Sequence, residues 1–193
     1  MVCNYFWALR RAVYRANAES DNDSKKKQEI AVCIFLSVTA VETFLNVYFR
    51  VLVEEEPYAR HKTLLLADLD KGTPLASKLR KWPREILGKP ISEDKGPGKA
   101  FADLRRLRNK LMHFTSSHQT LKVPGMVIHG LADTSAYDGL SDADAKRALR
   151  ASEDLLSEIF RLRGIPEDRL PHSLHAWTGK PPGWREPFES NAP

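Results

Sequence analysis

The sequence predicts an all-α protein, an antiparallel bundle of four or more helices followed by an irregular, proline-rich C-terminal tail. Three observations carry this. Residues 28–55 are a long, mostly apolar stretch without Gly or Pro, and several other segments repeat apolar residues at three- and four-residue steps. Segments with the alternation of a strand are too few to build a sheet. The 193 residues, 42% hydrophobic and 28% charged, suffice for one domain with a real core and exclude a chain too polar to fold.

The elements follow in order. Tyr5, Phe6, Trp7, Leu9, Ala12, Val13 and Ala16 share the spacing of an amphipathic helix over residues 5–19. The polar residues 20–27 are read as a turn, which hairpins this helix onto the next. Residues 28–55 are long enough to cross a bilayer. Glu42 would then sit near the bilayer centre with Arg50 two turns on, a costly arrangement, so no membrane is expected and the helix is placed in the middle of the bundle. Thr39, Glu42, Thr43, Asn46 and Arg50 form a polar stripe along it. The stripe is either the solvated strip of an amphipathic helix or a surface that something polar faces.

Pro57 ends the acidic run that follows, and Leu64, Leu65, Leu66 and Leu69 predict a short helix closing at Gly72. Thr73 is a candidate N-cap with Pro74 at the first helical position, and Trp82-Pro83 is expected to interrupt that helix. Residues 88–98 read as a loop. Phe101, Leu104, Leu107, Leu111 and Phe114 stripe a helix over residues 99–114. Residues 115–140 leave a short hairpin around Val123, Met126, Val127 and Ile128 as an open alternative to loop. Ser141 with Asp144 resembles a capping box, opening a helix with Leu149, Leu155, Leu156, Ile159 and Phe160 inward and ending at Gly164. Six of the twelve prolines come later. The chain therefore divides into a helical domain, 1–164, and a tail, 165–193, without regular structure, draped through Trp177 and Trp184 or loosely ordered.

Function classes narrow on composition. Thirty Lys and Arg against 25 Asp and Glu give a formal charge of +5, which suits a polyanionic partner. Cys3 and Cys33 can build neither a disulfide framework nor a cysteine zinc site, and Cys33 reads as a small buried hydrophobe. The first residues lack the order of a signal peptide, since Arg10, Arg11 and Arg15 follow the apolar start, so a cytoplasmic location is expected. His172 and His175 have a metal-compatible spacing but no carboxylate pair nearby, and no metal is expected. Gly96-Pro97-Gly98-Lys99 lacks the spacing of a phosphate loop, and no serine nucleophile elbow is present.

One segment carries chemistry: Leu104-Arg105-Arg106-Leu107-Arg108-Asn109-Lys110-Leu111-Met112-His113-Phe114. An Arg followed after four residues by His, with Asn directly after the Arg, resembles the signature of the HEPN superfamily of small helical bundles. The preceding long helix with Glu42 and the Lys78-Leu79-Arg80-Lys81-Trp82 segment also resemble the family's layout, over residues 5–163. The resemblance implies a metal-independent, cofactor-free endoribonuclease that cleaves RNA through its own 2′-hydroxyl, with the toxin of a toxin–antitoxin or phage-defence system among the roles it allows. The alternative it leaves open is a non-catalytic module that binds RNA, a nucleotide or a protein. In that frame His113 moves the proton, Arg108 clamps a phosphate oxygen, Asn109 holds the phosphate or orients the histidine, and Glu42 pairs with Arg108 or Arg50. Arg105, Arg106, Lys110, Asn46 and Arg50 add an RNA-binding surface. One motif histidine per chain, for a reaction wanting an acid and a base, implies a homodimer; an antitoxin protein is a further implied partner. At about 100° per residue Arg108 and His113 lie about 140° apart around the helix, whereas Asn109 and His113 share a face. The residues also permit a plainer reading, in which basic side chains near a helix C-terminus are favoured by the macrodipole and His113 caps the last carbonyls.

Overall fold

A computed structural model describes residues 1–20, 22–112, 121–128 and 134–186. The fold is an all-α bundle. Helix α1 (Val2–Ala18) and the long α2 (Asp23–Leu52) form a hairpin. The turn between them is shorter than its polarity suggests: the Asn22 side chain accepts from the backbone N–H of Lys25 at 2.9 Å, so the lysines of 25–27 already belong to the first turns of α2. After a 3-10 turn, Ala59–His61, come α3 (Lys62–Asp70), α4 (Leu75–Leu87), α5 (Gly96–Met112), the short α6 (Ser135–Asp138), α7 (Asp142–Leu162) and α8 (Leu170–Thr178). Leu121–Val123 and Met126–Ile128 pair as a small antiparallel hairpin, β1 and β2, with Leu121 opposite Ile128.

Helix α2 is the axis of the bundle, and α1, α5 and α7 pack around it. It has the length and composition of a membrane span, but its apolar side chains are packed against these neighbours: Ile30, Ile34, Val41, Phe44, Leu45 and Phe49 are fully buried. Burial also pushes the Cys33 thiol up to about 12, which keeps it protonated and inert. The Asp144 carboxylate accepts from both the backbone N–H and the hydroxyl of Ser141, fixing the start of α7 as its spacing predicts.

Three boundaries depart from the reading above. Pro83 does not interrupt α4; Trp82 and Pro83 are both buried, and the indole donates to Asp68 Oδ2 at 3.0 Å, so packing outweighs the lost backbone bond. Thr73 is not the cap of that helix, which begins one residue later, after Pro74. Helix α5 starts at Gly96, inside the expected loop, because Pro97 and Gly98 fit its first turn.

The tail is the larger correction. Residues expected to be irregular contain α8, because Pro171 falls in its first turn, where a missing N–H costs nothing, and Gly179, at φ 73°, closes its end. This helix packs on α1 and α7. Its Trp177 ring lies 5.2 Å from Phe44 and 5.5 Å from Tyr48, edge to face with both, so the tail joins the core through an aromatic side chain.

Gly98 has the least room of the described glycines. A Cβ there would meet the backbone oxygen of Ser92 at 2.1 Å and the Ile91 side chain at 2.6 Å. Gly98→Ala, which in an open helix would stabilise by up to about 1 kcal/mol, is expected instead to destabilise by roughly 1–3 kcal/mol. Chemical denaturation with an unchanged m-value checks this.

Candidate phosphate-binding cleft

The polar stripe of α2 is met by one side chain of α4. Lys78 is buried, and its ammonium donates to Glu42 Oε1 at 3.1 Å and to Asn46 Oδ1 at 2.9 Å, two acceptors one helical turn apart. The same ammonium lies 5.6 Å from the Trp82 ring centroid, a cation–π distance. Trp82 is itself held by Asp68, which also accepts from Lys81 at 2.9 Å. Burial opposes ionisation of Asp68, yet the hydrogen bonds from Lys81 and Trp82 outweigh it and hold its carboxyl below the ordinary range. Lys78 is thus fixed, and it holds the partly exposed Glu42 carboxylate in place.

Across from them, the later turns of α5 present their basic face. Arg105 reaches Glu93 at 3.3 Å through one terminal nitrogen, while its other, buried, has no hydrogen-bond partner. Arg106 pairs with Asp103. Arg108 donates only to Asn109 Oδ1, at 3.2 Å, and has no carboxylate partner among the described residues. Between the two sides opens a cleft of about 500 Å3. Val38 and Glu42 of α2 form one wall, the start of α4 at Leu75 and Ala76 the end, and Arg105, Arg106, Arg108 and Asn109 the other wall.

The cleft therefore brings Glu42, Arg105, Arg106, Arg108 and Asn109 together. Asn46 does not line it and is joined to Glu42 through Lys78, and Arg50 and Lys110 are exposed and do not line it. The expected pairing of Glu42 with Arg108 or Arg50 is replaced by Lys78, whose ammonium takes the carboxylate first. That leaves the Arg108 guanidinium available to an anion. His113, next in sequence after Met112, lies outside the described residues.

Lys78 is the residue that the sequence reading did not single out. It falls among Leu75, Leu79, Trp82 and Ile86 at helical spacing, on the buried face of α4. A cation in an apolar stripe calls for a counter-charge opposite, and that mismatch was the available signal.

No family model matches the chain, and neither a curated protein nor a solved structure is similar to it. Its chemistry follows from its own groups. With Glu42 neutralised by Lys78, the lining is a cluster of guanidinium donors beside one amide, held by packed helices: an arrangement suited to phosphate oxygens.

Proposed function

We propose that this cleft binds the phosphodiester backbone of RNA and that the chain acts as a metal-independent endoribonuclease of the HEPN type. One observation supports the reading above others: Arg108 opens into the cleft with no carboxylate partner among the described residues, beside Asn109, near the end of α5 and five residues before His113 in the sequence. In the reaction His113 moves protons between the 2′-hydroxyl, solvent and the leaving 5′-oxygen, while Arg108 offsets charge on the phosphorane. Lys78 and Asn46 act as positioning residues for Glu42. Two copies of α5 facing across a two-fold axis supply the second proton-transfer group.

The second reading, an RNA- or nucleotide-binding module without turnover, draws on the same guanidinium cluster and differs only in His113. Incubating the full chain with single-stranded RNA in EDTA separates the two. Cleavage leaving 2′,3′-cyclic phosphate ends, by a species with the solution mass of a dimer, is the expected result. Retention of RNA without cleavage selects the binding module, and cleavage by a strict monomer overturns the paired-histidine arrangement. Toxicity on expression, relieved by His113→Ala, would accompany a toxin role.

A further inference from the structure

A second concavity, which shares no lining residue with the first, lies where α1 meets the segment after α8. Its volume is about 410 Å3, within the range of small-molecule sites. Trp7, Arg11 and Tyr14 fall at steps of four and three along α1, opposite the buried Phe6, Leu9 and Val13, and the far wall is Trp184. Trp7 is 46% exposed, Tyr14 62% and Trp184 45%: three of the seven large apolar side chains that are exposed among the described residues gather at one place. A chain that buries Trp82 fully and packs Trp177 against its core does not leave these rings in water for lack of room.

The platform is built. The Trp7 indole packs against Gly179, where a Cβ would come within 2.5 Å of its Nε1, and the Arg10 guanidinium stands 5.7 Å from its ring centroid. Arg10 is buried and donates to Glu186 Oε1 at 3.0 Å, to the backbone oxygen of Thr178 at 2.7 Å, and to Glu153. These bonds tie residues 178–186 to α1 and set Trp184 across from Trp7. Arg10 is thereby neutralised. Arg11 is exposed and without an ion-pair partner among the described residues, and Arg15, half exposed, pairs with Glu29 at 2.9 Å. Aromatic faces beside such guanidinium groups suit a flat π-system that carries an anion.

We propose that this cleft is a second binding site, which takes a nucleobase bearing a phosphate, the base stacking on Trp7, Tyr14 or Trp184 and the phosphate pairing with Arg11 and Arg15. The site stands apart from the α2, α4 and α5 cleft and does not rest on the nuclease reading. Its ligand is a free nucleotide or a base at the end of a single strand; the chemistry is shared.

Calorimetric titration of the full chain with adenosine monophosphate, an adenosine hexanucleotide and ribose 5-phosphate tests it. Wild type is expected to bind both base-bearing ligands, with ribose 5-phosphate at least about fivefold weaker. Trp184→Ala is expected to weaken binding of adenosine monophosphate at least about fivefold, Trp184→Phe to restore most of it, and Arg11→Gln to reduce its salt dependence, all with unchanged melting curves. A hexanucleotide that binds more tightly than the monophosphate identifies RNA as the source of the ligand, and equal affinity identifies a free nucleotide. The proposal is overturned if wild type binds neither, if ribose 5-phosphate binds as well as the nucleotide, or if Arg108→Ala abolishes binding while Trp184→Ala leaves it intact.

Discussion

Arg10→Ala is expected to destabilise the protein by about 3–5 kcal/mol, the loss typical of removing one partner from a buried charge cluster. The Glu153 and Glu186 side chains that flank it are 9% and 4% exposed. Lys180 keeps its 2.9 Å contact with Glu153, but at 4.0 Å from Glu186 its ammonium does not replace the guanidinium there. The backbone oxygen and hydroxyl of Thr178 lose the guanidinium in the same step, although the hydroxyl still accepts from the backbone N–H of Lys180. A fall in Tm on the order of 10 °C should be seen by calorimetry. Arg10→Lys should lose nearly as much, because a single ammonium cannot reproduce the fork that reaches Glu153, Glu186 and Thr178 at once. A change below about 1 kcal/mol in the alanine variant would mean that the cluster is solvated in solution and gains little from its geometry.

The cluster also shows where sequence reading stops. Its two carboxylates lie 143 and 176 residues from Arg10 along the chain, and nothing in the local patterns links Arg10 to Glu153 or Glu186. On α1, Arg10 sits beside Leu9 and reads as one of several exposed cations. What periodicity can show, it does show: α2, α5 and α7 are recoverable because each repeats apolar residues over several turns. It misses α8 and cuts α4 short at Trp82-Pro83, in both cases by taking a proline as a breaker. Pro171 is harmless in a first turn, and Pro83 is carried by the burial of its neighbour Trp82. For the α2 cleft, the two sides were legible as a polar stripe and a basic motif. Their joining by Lys78 was not, because a salt bridge between α2 and α4 depends on how the helices cross.

The proposed nuclease role yields the other large effect. His113→Ala is expected to lower RNA cleavage by about 10²–10⁴-fold, the usual contribution of a positioned general acid or base. Arg108→Ala should lose about 10²–10³-fold, in keeping with removal of a group that stabilises developing charge. The pattern among variants tells more than either size. Arg108→Lys restores charge without the fork and should recover part of the loss, chiefly in KM, since an ammonium still attracts RNA but no longer holds a phosphate in one orientation. Arg50→Ala and Lys110→Ala, outside the cleft lining, should leave kcat unchanged and flatten the dependence of binding on salt by about one charge each. If His113 and Arg108 act as a unit, the double variant falls no further than the worse single one. Cleavage rates on a defined oligonucleotide, measured under saturating and limiting RNA, decide it. Equal cleavage by wild type, His113→Ala and Arg108→Ala would remove the nuclease role. It would leave the guanidinium cluster opposite Glu42 and Lys78 as a surface for binding alone.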